Sequence, residues 1–435
     1  MATLVKSLRA VCYSLSFFKP GQVDSMGYLR LVAPLREAGI EMILAVENGE
    51  VKPERVLDGD LVIIQRHLPV HFKEYKNIIS LARSAKKPVV FELDDLLFFL
   101  PANHPDRLGH FYAGALLPAF QAVLDADLVT VPTEELRSVL SRYVDADKIV
   151  ILPNFLDDKL WSLRDPEEAK DVKDVITVGY MGTESHKPDL VEIIPALIDT
   201  LQQFPEKVTI QFWGIQPPEE LSQFPQVQWT PWISYNYPEF AQHFQTLRAD
   251  IFIAPLADNL FNRCKSPLKF FEYSALGVCG IYSAIPPYSK VIRHGEEGLL
   301  ASSVNEWITC LRQLIEDESL RLRLAQNALW LLRRQYMLSH QAYRWKEVYQ
   351  AASEQSVFRA KQSSTWEIVD TINSQLSDLL ASQHRTIVEQ EQRILEQQQI
   401  IDDLNQDILR YVMSRSWRYT RFFRKANEKI SKLLV

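Results

Sequence analysis

"VITVGYMGTESHKPDL", residues 175–190, sets a β-branched run, a glycine turn and a proline-led helix start side by side. The run reads as a strand, Gly182 and Thr183 as the turn that follows it, and Pro188 as a first-turn helix residue. This punctuation has already run through the chain once. "AVCYSLSF" (10–17), "EMILAV" (41–46), "DLVIIQ" (60–65), "PVVFEL" (88–93), "DLVTVP" (127–132) and "KIVILP" (148–153) alternate with amphipathic stretches, the pattern of βαβ units on a parallel sheet. After the acidic connector "LRDPEEAKDVKD" (163–174) the alternation restarts at Val175 and continues through "VTIQFWG", "VQWTPW", "DIFIAPL" and "CGIYS". Two doubly wound α/β domains in tandem are therefore expected, over 1–165 and 166–352. Ligands of such sheets lie beyond the carboxyl ends of the strands, so facing domains would form a cleft.

From about Ser302 the pattern is helical, and the three segments up to residue 352 are expected to brace the second domain. Beyond residue 360 one heptad register persists. Position a takes Trp366, Asn373, Leu380, Ile387, Ile394, Ile401 and Ile408; position d takes Val369, Leu376, Gln383, Gln390, Gln397, Leu404 and Tyr411. A coiled coil over 353–410, joining copies of the chain through residues 366–411, is one reading; a single long helix packed on its own globular part is the other. Residues 411–435 form a basic, aromatic tail: from Arg410 onward eight Lys or Arg face one acid, Glu428, in a chain of net charge −7. Such a mixture suits either an interfacial helix on anionic lipid or a partner-docking peptide.

Composition is that of an ordinary globular protein, and the acidic net charge gives no reason to expect nucleic acid as a partner. Cys12, Cys264, Cys279 and Cys310 show neither a CxxC pair nor a disulfide framework, which fits a reducing, cytoplasmic location. No apolar run is long enough to span a bilayer.

In "FNRCKSPLKFFEYSALG" (261–277), Lys265, Lys269 and Glu272 fall at i, i+4 and i+7 and would share one face of a helix whose first turn holds Lys265, Ser266 and Pro267. A lysine beside a helix N-terminus opposes the macrodipole unless an anion joins it. A diphosphate would resolve the conflict: Lys265 and Lys269 neutralise its oxygens, and Glu272 accepts hydrogen bonds from a pair of sugar hydroxyls. A solvated charged face is the alternative. The turn at Gly182 and Thr183, with His186 and Lys187, is a second phosphate candidate, although such turns are common as plain structure.

The stretch "SPLKFFEYSALGVCGIYSAIPPYSKVIRHGEEGLL" (266–300) resembles the donor-binding signature of glycosyltransferase family 4, whose fold is GT-B: two Rossmann-like domains facing across a cleft. "VGYMGTESHKPDLVEIIPAL" (178–197) and "ELDDLLFFLPANHPD" (92–106) are similar to one subgroup of those enzymes, and the likeness spans roughly residues 9–350. The resemblance implies a retaining, metal-independent hexosyltransferase that takes a nucleotide sugar as co-substrate and needs no cofactor. It makes Glu272 the ribose ligand, the second glutamate of a Glu, seven residues, Glu pattern; the first position falls on Cys264. Where the family tends to carry a diphosphate-binding arginine this chain has Tyr180 and Met181, with His186 and Lys187 near the expected lysine. The loop "TPWISYNYPEF" (230–240) sits where such enzymes hold the base, so Trp232 and Tyr235 are base-packing candidates, and Asn262 and Arg263 are candidate sugar contacts. "SRSWRYTRFFR" (414–424) resembles segments attached to bacterial cell-surface sugar transferases, which suits a glycan, lipid-linked or polysaccharide acceptor at the inner face of the cytoplasmic membrane. The departures at Cys264 and Tyr180 leave room for a catalytically weak scaffold or sugar-binding module.

In the first domain Asp94 and Asp95 end a strand. Adjacent acids alone do not make a metal cage, so acceptor binding or placement at the cleft is the better role, with His104 a second candidate; no catalytic residue is identified, and Asp94, Asp95 and His104 are the candidates for one. Gly21, Gly27 and Arg30 could approach the donor phosphates from the opposite wall; a surface position for Arg30 is the alternative.

Overall fold

The computed structural model describes residues 7–169, 175–231, 234–354, 365–413 and 420. The chain divides into two units, Met1–Val369 and Asp370–Val435. Within the first unit, two six-stranded sheets form, every ladder of which is parallel. The first runs Ile149–Ile151, Leu128–Val131, Val89–Glu92, Leu61–Gln65, Arg9–Tyr13, Glu41–Leu44 from edge to edge; the second runs Val227–Pro231, Val208–Gly214, Ile176–Gly182, Ile251–Ala254, Cys279–Ser283, Leu299–Ala301. Strands covered on both faces read as continuous apolar runs, which is why the alternation in the sequence found them.

Each order reverses once. The reversal falls between Arg9–Tyr13 and Leu61–Gln65 in the first sheet, and between Ile176–Gly182 and Ile251–Ala254 in the second. Loops leaving neighbouring strands at such a point part to opposite faces and open a crevice. One apolar cluster joins the sheets, from Ala10 and Leu61 through Leu152, Phe155 and Trp161 of the connection to Phe252 and Tyr273.

Two helices, Val304–Glu316 and Glu318–Gln335, pack against the second sheet at Cys279–Ser283 and Leu299–Ala301. The third, Tyr343–Glu354, corrects the expectation: it returns to the first sheet, packing on Ala33–Glu37 and Leu61–Gln65. Trp345 meets Phe155 edge to face at 6.0 Å and Tyr349 is buried, so the apolar face of this helix is taken by the first domain.

Residues 366–413 form one helix, Trp366–Met413. Its first turn belongs to the globular unit: Trp366 Nε1 donates to Asp125 at 2.8 Å, and Val369 joins the first domain's core. From Ile372 onward apolar side chains including Ile387, Ile394 and Ile401 are exposed. Of the basic tail, all but residues 411–413 and 420 lie outside the described residues.

Arg30 is not on the cleft wall. It is fully buried in a helical stretch from Ser25 to Glu37, with a π turn over Tyr28–Val32, and its Nε donates to Glu92 at 2.7 Å. Its Nη1 donates to Leu152 O and Asn154 Oδ1, while Glu92 also accepts from Thr130. Gly27 is likewise structural: a Cβ there would lie 2.5 Å from Val23 Cγ2 and 2.7 Å from Ser16 Cβ, so only glycine lets the preceding loop fold back. Gly21 turns the small hairpin Phe17–Lys19 and Gln22–Val23 at φ 76°. Removing one member of a buried ion pair strands the other, so Arg30→Met is expected to destabilise the chain by about 3–5 kcal/mol. Arg263→Ala, at an exposed pair, should cost far less; paired urea titrations compare the two.

Candidate functional site

The strand ends at the two reversals converge on a cavity of about 300 Å³. From the first sheet come Asp24, Ser25 and Met26 after the first strand, then Asp94 and Asp95. The second sheet contributes Met181, Gly182, Thr183 and His186, and the facing wall is Lys265, Ser266, Lys269 and Glu272. Asn154, in the connection, closes the floor and donates to Ser266 Oγ at 3.0 Å; its own Oδ1 is held by Arg30.

The charged wall is built differently from the single helix read in the sequence. A short helix, Leu260–Arg263, ends before Cys264, and the next, Leu268–Ala275, begins only after Pro267. A residue preceding proline disfavours helical backbone, which interrupts the chain at Ser266. Lys265 and Ser266 therefore lie on a connection, and Lys269 and Glu272 one turn apart on the helix. All four still reach the cavity.

Lys269 Nζ donates to Met181 O at 2.6 Å and stands 5.6 Å from the Tyr180 ring centroid. Burial pushes its ammonium down to about 8, with Glu272 opposing the fall and Lys265 adding to it. Burial also drives the Glu272 carboxyl up to about 7, against Lys269 and the Tyr237 hydroxyl, which donates to it at 3.3 Å. Lys265 Nζ lies 4.8 Å from the Phe261 ring centroid. Among the described residues no carboxylate stands within 4.0 Å of either ammonium. Both ammonium groups therefore stand on one wall of the cavity without a carboxylate partner.

His186 reaches the cavity because Asp189 holds it: Nδ1 lies 3.0 Å from Asp189 Oδ2. Burial, with Lys265 and Lys269 nearby, pushes the imidazole down to about 4, so it is neutral at pH 7. Burial alone would raise Asp189, but His186, Lys265 and the Ala257 N–H hold it below the usual carboxylate range. Asp189 also accepts from Ala257 N and Asn262 Nδ2, tying together the loops after both strands of the reversal. Nothing in the sequence marked Asp189 beyond its place in a first helical turn.

Several expected site residues stand elsewhere. Asn262 is buried against Asp189 and Ala257 O, Arg263 is exposed and paired with Asp258, and exposed Lys187 lies outside the lining. His104 caps Pro105–Leu108 by accepting from Asp106 N, and its ring meets Phe261 at 5.2 Å, so it wedges the domains together away from the cavity. Tyr235 is at the rim, 74% exposed, while Trp232 lies outside the described residues. Gly182 is required by packing: a Cβ would sit 2.6 Å from the Tyr180 hydroxyl.

Tyr180 is itself fully buried beside Phe212 and does not line the cavity; Met181, the other residue standing where an arginine was expected, does line it but carries no charge. Cys264 packs in the first domain's core, and burial raises its thiol to about 12; it remains protonated and cannot replace a carboxylate. Its carbonyl accepts from Thr133 Oγ1 at 2.8 Å, which fastens the two domains. Among the described residues no group of three or more His, Cys, Asp or Glu gathers as a metal site would.

Residues 172–317 match the family model described as glycosyl transferases group 1. The fold matches the crystal structure of Anabaena HepE in complex with UDP and glucose at 14% identity, covering 79% of this chain and 100% of that one, with a TM-score of 0.56. Sucrose-phosphate synthase from Thermosynechococcus elongatus matches at 14% identity over 79% and 98% of the two chains, TM-score 0.56. The apo lipopolysaccharide outer core galactosyltransferase WaaB matches at 13% over 79% and 99%, TM-score 0.50. No curated protein matches the chain. The architecture is GT-B, and the match to the group 1 glycosyl transferase model falls on residues 172–317, within its second domain.

Proposed function

We propose that this chain is a retaining glycosyltransferase of family 4 type, moving a hexose from a nucleoside diphosphate to a glycan, lipid-linked or polysaccharide acceptor without a metal or cofactor. The observation that carries the reading is the wall formed by Lys265, Lys269 and Glu272 at the crevice between the domains. A nucleoside diphosphate supplies the anion that the two ammonium groups lack and the paired ribose hydroxyls that a buried carboxylate can accept. As the bond from the anomeric carbon to the diphosphate breaks, its electron pair stays on the departing oxygen, and cations already in place offset the charge in a site shielded from water. Tyr235, at the rim, is the residue we assign to packing on the base. UDP and glucose, the ligands held by the Anabaena HepE structure, agree with this chemistry.

A second reading, a catalytically weak sugar-binding module, is favoured by Cys264, whose buried thiol leaves the expected carboxylate contact to the donor sugar unfilled. A hydrolysis screen across UDP-, GDP- and ADP-hexoses separates the two. The transferase releases nucleoside diphosphate from at least one donor, undiminished by EDTA; release from none contradicts it. Glu272 accepts hydroxyls best when ionised and Lys269 holds phosphate best when protonated. Their shifts therefore predict a bell-shaped kcat/KM that falls below pH about 7 and above pH about 8.

The exposed stripe through Ile387, Ile394 and Ile401 is read as a seam for a second copy of the chain, and the basic tail over 410–435 as a contact with anionic lipid, where each Lys or Arg contributes about 1 kcal/mol. Both would place the enzyme as an oligomer at the cytoplasmic membrane face. Sedimentation of the Ile394→Asp, Ile401→Asp double variant should give a lighter species than the parent chain; equal masses contradict the seam.

A further inference from the structure

Most buried carboxylates among the described residues accept from two or more donors. Glu92 accepts from Arg30 and Thr130; Asp125 from Tyr75, Gln121 and Trp366; Asp157 from Tyr28 and Arg36; Asp189 from Ala257 and Asn262. Glu272 accepts only from the Tyr237 hydroxyl, and Asp94 from no donor at all. Asp94 is 3% exposed, it lines the cavity on the wall opposite Lys265 and Lys269, and neither of its oxygens receives a hydrogen bond.

Arg66 stands beside it, with Nε 3.0 Å from Asp94 Oδ1, but the N–H is not aimed at the carboxylate and both atoms lack a hydrogen-bond partner. The guanidinium is held off by its other contacts. Arg66 adopts φ 50°, a left-handed backbone unusual outside glycine, and its Nη2 donates to the Tyr112 hydroxyl at 2.9 Å. The arginine thus supplies charge without filling the acceptor positions, and burial drives the carboxyl up to about 7. A buried acceptor left open in this way is costly unless a ligand completes it.

We propose that Asp94 is the sugar receptor of the first-domain wall, its carboxylate accepting hydrogen bonds from ring hydroxyls of a sugar held across the cavity from Lys265, Lys269 and Glu272. This rests on the donor reading above and deepens it, because it names a residue that selects for a hydroxyl. A cation is the less suitable occupant: no third acid joins Asp94 and Asp95 among the described residues, and the facing wall is cationic. The hydroxyl can belong to the transferred sugar or to an acceptor sugar, and the chemistry at Asp94 is the same.

The test takes the nucleoside diphosphate hexose that the parent chain hydrolyses fastest, its monodeoxy analogues, and monosaccharide acceptors with their deoxy forms. In the parent chain one deoxy compound should be a poor substrate; in Asp94→Ala the same compound should equal its hydroxylated parent. The variant should lose about 10- to 100-fold in kcat/KM, the size expected for a hydrogen bond to a charged group, while keeping its affinity for the bare nucleoside diphosphate. Asp94→Asn, nearly isosteric, repeats the measurement if the alanine variant folds poorly. Sensitivity among donors assigns the hydroxyl to the transferred sugar, and sensitivity among acceptors assigns it to the acceptor. Equal discrimination by parent and variants for every analogue would overturn the proposal, as would a rate that depends on added Mg2+ in the parent and loses that dependence in Asp94→Asn. Failure of every nucleoside diphosphate to bind the parent chain would instead remove the donor reading, and this proposal with it.

Discussion

Lys269 and Glu272 lie one turn apart on a helix whose remaining faces are committed to the core. Phe270, Phe271, Tyr273 and Ala275 are buried, and Tyr273 stacks on Phe252 with ring centroids 4.1 Å apart. The helix cannot turn to release its charged face to bulk water without dismantling that packing. Desolvation pulls the ammonium down and the carboxyl up, so each group is closer to losing its charge than it would be in solvent. Such an arrangement is tolerated where a crevice lets a ligand complete it. Both groups line the cavity between the sheets, where the proposed nucleoside diphosphate would reach them.

What keeps that crevice in place is a chain of polar contacts crossing from one domain to the other. Arg30, fixed by Glu92, orients Asn154; Asn154 reaches Ser266, next to Lys265. Thr133 holds the Cys264 carbonyl, and the Asn236 side chain accepts from Val23 N at 3.1 Å. The returning helix Tyr343–Glu354 adds an apolar strap against the first sheet. A residue taken from sequence as a wall of the site, Arg30, thus serves the site from beneath it.

The two sheets were legible because parallel strands buried on both faces leave short apolar runs, and because those runs restart at Val175. Lys265, Lys269 and Glu272 were legible from their spacing, even though Pro267 divides the expected helix. Arg30 was not: its partner Glu92 is 62 residues away, and nothing local to an arginine in an amphipathic segment announces burial. Asn262 and Asp189, 73 residues apart, escaped for the same reason. Tyr343–Glu354 shows a related limit, since an amphipathic pattern says that a helix must bury a face and does not say against which domain. Asp94 was visible as an acid at a strand end, but its open hydrogen-bonding positions emerge only when Arg66 is seen to be drawn aside by Tyr112.

The central claim is that the Lys265, Lys269 and Glu272 wall holds a nucleoside diphosphate. Isothermal titration of UDP, GDP and ADP into the full chain at pH 7.5 tests it most directly, with Lys269→Met and Glu272→Ala alongside. One nucleotide should bind the parent chain, and each substitution should weaken it by at least about tenfold, as loss of a charge-assisted hydrogen bond requires. Absence of binding by all three, or affinity unchanged in both variants, would contradict the account.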